Sequence, residues 1–381
     1  VRLLRSDLRR ADVAPRVKDL VGVLYREIPS GVGSKGRLRL SAADEDGVFL
    51  RGARWAVEQG YGEPSDLAHT ESGGCLDGAD PGGIGAKARE RGRPQLGTLG
   101  SGNHFLEVQY VDEIYDEGAA HAMGLFLDQV TFMIHTGSRG FGHQVCTDFI
   151  DVMGRAVAKY GIDLPDRELA CAPCRSREAE EYLGAMRAAA NYAWANRQCI
   201  AHWSREAIAS VFKTSYRKLG LSLVYDVAHN IAKEELHEVG GRRVPLMVHR
   251  KGATRAFPPG HPELPDAYRS TGQPVLIPGD MGRASYVLVG KEEGMRLTWG
   301  STCHGAGRLL SRHQAIRQAK GRSIYRELEN QGIVVMSSGR ETVAEEMPEA
   351  YKDISDVVDV VHRAGISGKV ARLRPMGVVK G

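Results

Sequence analysis

Val130-Thr131-Phe132-Met133-Ile134-His135-Thr136-Gly137-Ser138-Arg139-Gly140 reads as a buried strand that runs straight into a polar glycine loop. The run Val130 to Ile134 is apolar or β-branched, the composition of a covered strand. It stops at a histidine and enters a mobile-looking turn, a common way to build a site on a rigid edge. The same punctuation recurs along the chain. Leu221 to Val227 ends at Ala228-His229-Asn230, and Val244 to Val248 ends at His249-Arg250-Lys251-Gly252. Pro274 to Ile277 ends at Pro278-Gly279-Asp280-Met281-Gly282, and Ala284 to Val289 is a further strand led by Ser285. Strands that end in polar loops in this way are expected to gather those loops at one edge of a sheet. The fold class expected is α+β, with central mixed or antiparallel β-sheets flanked by helices, in one large domain over residues 1–381.

The helices are read from periodicity. Val17 to Ile28 carries Val17, Leu20, Val21 and Leu24 at helical spacing. Ala53 to Glu58, Gln144 to Lys159, one or two long helices over Ser176 to Val211, Leu309 to Lys320 and Ser355 to His362 complete the set. Gly73 to Gly92, rich in glycine and charge, is expected to be a surface excursion. The last residues, Arg372 to Gly381, are basic and apolar, and a frayed tail is the default reading of such an end.

The composition excludes several classes. The chain has 381 residues, 42% hydrophobic and 26% charged, which is ordinary for a globular core. Its formal net charge of +4 permits a nucleic-acid partner without arguing for one. Six scattered cysteines form no disulfide framework, so a reducing cytoplasm is expected. Cys171-Ala172-Pro173-Cys174 has ligand spacing, but no second pair joins it and zinc is not favoured. No apolar run is long enough to span a bilayer, and Val1 to Ser6 are too charged for a signal-peptide core.

Two loops carry most of the chemistry. In Leu99-Gly100-Ser101-Gly102-Asn103-His104-Phe105-Leu106-Glu107, glycines lead into a strand. An extended chain puts Asn103, Phe105 and Glu107 on one face and His104 on the other. An amide and a carboxylate at that spacing suit two polar edges of one ligand. In Gly300-Ser301-Thr302-Cys303-His304-Gly305-Ala306-Gly307-Arg308, one imidazole sits among residues with almost no side chain, where a large ligand can approach closely. His143 and His202 read more simply as packing histidines. Pro29 to Gly36 has glycines and a lysine but lacks Walker spacing, and a plain connector is preferred there. His104, His135 and His229 stand at strand edges, and imidazole is the common ligand of borderline metals. Arg139 offers a planar fork for phosphate. From the residues alone, the reading is a metal and phosphate site.

These loops, with Val248-His249-Arg250-Lys251-Gly252-Ala253-Thr254-Arg255-Ala256-Phe257-Pro258-Pro259-Gly260 and the His135 to Gly140 loop, together resemble the RtcB family of RNA-splicing ligases, in the same order from Val1 to Gly381. The resemblance implies an RNA ligase that joins a 3′-phosphate or 2′,3′-cyclic phosphate to a 5′-hydroxyl, in tRNA splicing or RNA repair, with GTP and two Mn2+ ions. It implies that His304 takes GMP as nucleophile and that His104, His135 and His229 are metal ligands. Nucleotide contacts fall on Asn103, His104, Phe105, Leu106 and Glu107, on His229 and Asn230, on Pro278, Gly279, Asp280, Met281 and Ser285, and on His304, Gly305, Ala306 and Gly307. Lys380 would reach the guanine, which makes the tail ordered, and Arg139 and Arg308 would meet RNA phosphate. RNA, as tRNA halves or broken ends, and an archease-like activating protein are the implied partners, with no membrane. One family feature, an Asp-x-Gly-Cys metal loop expected just before Val1, lies outside the sequence, so a chain shortened relative to the family is expected. Two other readings stay open: a fragment that binds RNA or guanine nucleotide without turnover, and a metal-dependent phosphoesterase.

Overall fold

A computed structural model describes residues 1–381. Its strands are β1 (Arg2–Arg9), β2 (Phe105–Ile114), β3 (Gln129–His135), β4 (Ser222–Asp226), β5 (Asn230–Val239), β6 (Arg242–Lys251), β7 (Ala253–Arg255), β8 (Pro274–Ile277), β9 (Ser285–Gly290), β10 (Ser301–Cys303), β11 (Val334–Ser337) and β12 (Ser367–Lys380). The main sheet runs β4-β1-β3-β2-β12-β9-β8, antiparallel throughout, and β11 adds in parallel to β12. β5 and β6 form a separate hairpin, and β7 pairs with β10. The architecture is α+β, as the strand and helix patterns predict.

Alternation divides the sheet's side chains between two cores. Leu4, Leu106, Val108, Phe132, Ile134 and Val379 face one layer, with the helices Val17–Glu27, Ala42–Arg51, Arg139–Lys159 and Arg177–Phe212. Leu3, Phe105, Val111, Met133, Leu373 and Val378 face the other, with the short helices Glu117–Met123, Arg312–Gln318, Ile324–Asn330 and Arg340–Glu345. Each buried side chain of this size contributes roughly 1.5–3 kcal/mol. A sheet covered on both faces explains why Val130 to Ile134 reads as unbroken apolar sequence.

Four expectations need correction. The helix expected from Gln144 begins at Arg139, directly after the β3 loop, and Arg139 itself takes a positive φ of 56°. The stretch 73–92 is not a free excursion: it contains the helix Ala86–Gly92, and Gly74, Cys75, Ile84 and Ala88 are buried in it. The tail reading of Arg372 to Gly381 fails because β12 lies in the middle of the sheet, paired with β2, β9 and β11. His143, read as a packing histidine, is exposed on its helix. All six cysteines are free, and Cys174 is exposed. No helix is long and apolar enough to cross a membrane.

Candidate active site

The end of the sheet sets one row of side chains. Phe105 of β2 is the direct partner of His135 on β3 and of Lys380 on β12. Direct partners share a face, so His135, Phe105 and Lys380 stand side by side on the second-core side. The next row on that face holds Met133, Glu107 and Val378. Leu106, one residue out of phase, points into the opposite core and offers the site only its backbone.

Two further histidines arrive from loops tied together at Gly252. The Gly252 N–H donates to the His229 carbonyl at 3.0 Å, and the His304 N–H donates to the Gly252 carbonyl at 3.3 Å. His304 leaves β10, and β10 pairs with β7 just past Gly252, so this link follows from the register. The result is a tight group: ring nitrogens of His135, His229 and His304 all lie within 4.8 Å of one another. His135 Nε2 and His304 Nε2 are 3.4 Å apart, and the His229 and His304 rings stack at 3.8 Å. His104 stands just outside this group. Its ring centre is 5.7 Å from that of His135, and its Nδ1 meets the Arg139 guanidinium at 3.0 Å.

Burial keeps these rings neutral. It lowers His135, His229 and His304 well below the ordinary imidazole range, and it pushes His104 down to about 3 with help from the adjacent Arg139. Neutral imidazoles carry free lone pairs, and His135 Nδ1 and His304 Nδ1 are buried without a partner. Three neutral rings converging on one point fit a borderline divalent cation.

Behind the histidines lies a buried ionic frame. Asp226 accepts from Arg2 at 2.7 Å and from Arg197 at 2.7 Å, and Arg197 also donates to the Thr136 carbonyl at 3.0 Å, next to His135. Glu71 accepts from the Ala228 N–H at 2.8 Å, next to His229, and pairs with Lys233 at 2.5 Å. Both histidine-bearing turns are therefore anchored through charge-assisted hydrogen bonds, the strong kind.

In front lies a cleft of about 370 Å³. Of the expected site residues, Asn103, Phe105, His135, Pro278 to Met281, His304 to Arg308 and Lys380 line it. Gly307 takes a positive φ of 72° with open space where a Cβ would project, which leaves backbone bare to the cleft. Glu107 and Ser285 are reached through Gln109, whose amide donates to Glu107 at 2.6 Å and to Ser285 at 3.0 Å; Ser285 Oγ in turn accepts from the Gly279 N–H at 3.1 Å. Burial pushes Glu107 up to about 8, against the pull of Gln109 and Lys380, and its Oε1 has no partner. Burial likewise lowers the Lys380 ammonium and raises Asp280. Asn230 is exposed at the start of β5, away from the lining. Arg308 is held by Glu346 at 3.1 Å and the Tyr351 hydroxyl at 3.0 Å. Sequence reasoning missed Gly252, Arg312, Glu346 and Tyr351 on the cleft wall. Gly252 closes a polar loop already marked in the sequence, and Arg312 lies four residues past Arg308 in the same basic stretch; Glu346 and Tyr351 carried no such signal.

A family model described as tRNA-splicing ligase RtcB matches residues 1–381. A tRNA-splicing ligase RtcB of Archaeoglobus fulgidus is 60% identical over 381 residues, which make up 100% of this chain and 79% of that protein. One from Thermococcus kodakarensis is 58% identical with the same two shares. One from Pyrococcus abyssi is 57% identical, over 100% of this chain and 42% of that protein. The chain belongs to the RtcB family.

Proposed function

We propose that this chain is an RNA ligase of tRNA splicing or RNA repair, that it consumes GTP, and that it joins RNA 3′-phosphate or 2′,3′-cyclic phosphate ends to 5′-hydroxyl ends. The relatives' shared name supports the ligase class. The single observation that carries the finer reading is the position of His304, a buried neutral imidazole on the cleft lining beside Gly305, Ala306 and Gly307. The geometry alone leaves His304 free to be a third metal ligand or a nucleophile. Its place on the open lining, while His229 stands behind it, favours the nucleophile.

In this reading a lone pair of His304 attacks the α-phosphorus of GTP, a phosphorus–nitrogen bond forms, and pyrophosphate leaves. An oxygen of the RNA 3′-phosphate then displaces the imidazole, which regains its neutral form. The 5′-hydroxyl of the second RNA attacks the activated 3′-phosphorus, loses its proton and expels GMP; a cyclic phosphate is first opened by water. Glu107, with one unpaired oxygen, and Lys380 suit the donor and acceptor edges of guanine, and Phe105 neighbours both, opposite Lys380 and two residues before Glu107 on β2. Backbone N–H groups of the Gly305 to Gly307 turn and the Pro278 to Met281 loop suit phosphate oxygens. In this reading Arg139 and Arg308 would meet RNA phosphate. His104, His135 and His229 would hold Mn2+, which when bound offsets phosphate charge and aligns the reacting groups.

The test is incubation with α-labelled GTP, Mn2+ and two RNA ends. Acid-labile label on the protein that disappears in His304→Ala, together with joined RNA, is the expected result. GTP binding with no covalent label would favour a binding module, and phosphate release without joining a phosphoesterase.

A further inference from the structure

Gln109 is fully buried on β2, two residues past Glu107 and on the same face. It does not line the cleft. Nearby on that face, Val111, Met133 and Val378 belong to an apolar core. Yet its amide directs both N–H donors at the site, one to Glu107 Oε2 at 2.6 Å and one to Ser285 Oγ at 3.0 Å. Its own Oε1 has no partner. A buried amide left half satisfied costs stability that a methionine of similar length would not. Donation is therefore what this amide supplies.

Counting donors and acceptors fixes the polarity in front of it. A hydroxyl has two acceptor positions and one proton. Ser285 Oγ accepts from the Gln109 amide and from the Gly279 N–H at 3.1 Å, so both positions are filled and its O–H is left to donate. One oxygen of Glu107 is held by Gln109, and the other, Oε1, is buried without a partner. Burial disfavours the Glu107 carboxylate, and the Gln109 N–H opposes that more strongly than Lys380 does.

We propose that Gln109 is the positioning residue behind the base preference of this site: by donating to both Glu107 and Ser285 it sets the first as acceptor and the second as donor, the pattern that takes guanine and refuses adenine. This rests on the GTP reading above. Guanine carries N–H donors at N1 and N2 and acceptors at O6 and N7. Adenine carries a lone pair at N1 and an amino group in place of O6, so it meets Glu107 and Lys380 with the wrong sign. A site whose buried polar groups are left unpaired by the wrong ligand discriminates strongly. Gln109 touches no ligand in this scheme and acts only through its two partners.

Calorimetric binding of GMP and of AMP to the full chain tests this. The parent should favour GMP by at least about 100-fold. Gln109→Met keeps the length of the side chain and removes both donors. It should bind GMP at least about tenfold more weakly and AMP as the parent does. Gln109→Glu replaces the donating amino group by oxygen; it should lose the preference as well, and it decides the matter if the first variant fails to fold. In the Gln109→Met/Ser285→Ala double variant the loss should be smaller than the product of the two single losses, because both changes break one network. A GMP preference unchanged in the Gln109 variants, or equal weakening of GMP and AMP, makes Gln109 a packing residue and overturns the proposal, while the GTP reading stands. A parent that binds GMP no better than AMP ends the GTP reading and the proposal with it.

Discussion

The His229 and His304 rings lie face to face, with centres 3.8 Å apart and planes within 5° of parallel. His135 meets both edge-on, at 5.3 and 5.2 Å. Loss of His229 therefore removes both a ring nitrogen from the group and the surface against which His304 rests. His229→Ala and His135→Ala should weaken Mn2+ binding by on the order of 100-fold, read from free Mn2+ in an EPR titration. His104→Ala should cost less, since that ring stands outside the group and is engaged by Arg139. Full loss in His104→Ala with none in His229→Ala would contradict this grouping.

Glu107 gives a pH signature. Burial raises its folded pKa from 4.5 to about 8, so the fold holds a proton that the unfolded chain releases. Between these values the native state binds more protons, and stability falls as pH rises through the window. Glu107→Gln removes that penalty. The variant should be more stable than the parent by up to about 4 kcal/mol at pH 8.5 and equal to it near pH 4, while its GTP affinity drops. Urea unfolding at the two pH values checks it; a variant no more stable at pH 8.5 than its parent defeats the argument.

Asp66 behaves in the opposite sense. Burial would raise its pKa, but paired hydrogen bonds from Arg205 at 2.7 and 2.6 Å hold it down to about 2. Its contribution is complete above the unfolded value of 3.8 and is lost as pH falls through about 2. Asp66→Asn leaves Arg205, 2% exposed, without a counter-charge. A loss of about 3–5 kcal/mol at pH 7 is expected by chemical denaturation.

Gly100 tests how the loop supports Arg139. It has a φ of +92°, and an added Cβ would fall 1.9–2.0 Å from three atoms of the Arg139 guanidinium. Gly100→Ala should therefore destabilise the chain by at least about 1 kcal/mol from backbone strain alone. It should also release Arg139 from His104 and Thr98. Wild-type melting temperature and RNA binding in this variant would show that the close approach is dispensable.

Local signals were legible. Val130 to Ile134 and Pro274 to Ile277 follow from short unbroken apolar runs, and the helix Val17–Glu27 from side-chain periodicity; both signals depend on near neighbours. The glycine loops around His104, His135 and His304 stood out because a histidine among small residues is rare in a core. Register was not legible. Nothing near Lys380 in sequence tells that it will lie beside Phe105 and His135, since that depends on pairing over more than 200 residues. β12 also hides its nature. Pro375 argues against a central strand, and the sheet accommodates it at an irregularity between Pro375 and Gly377. Glu346 and Tyr351 reach the cleft from a stretch with no glycine punctuation, so only the tertiary fold reveals them.

The central place of β12 bears on synthesis. It is made after both β2 and β9, yet it separates them. Until it emerges from the ribosome, β4-β1-β3-β2 and β9-β8 are two ribbons with open edges, and open edges invite pairing with other chains. Lys380 and the histidine cluster can become neighbours only after that insertion. A chain made only as far as β9 is therefore an aggregation hazard that holds no finished cleft, and it needs shielding until β12 is in place.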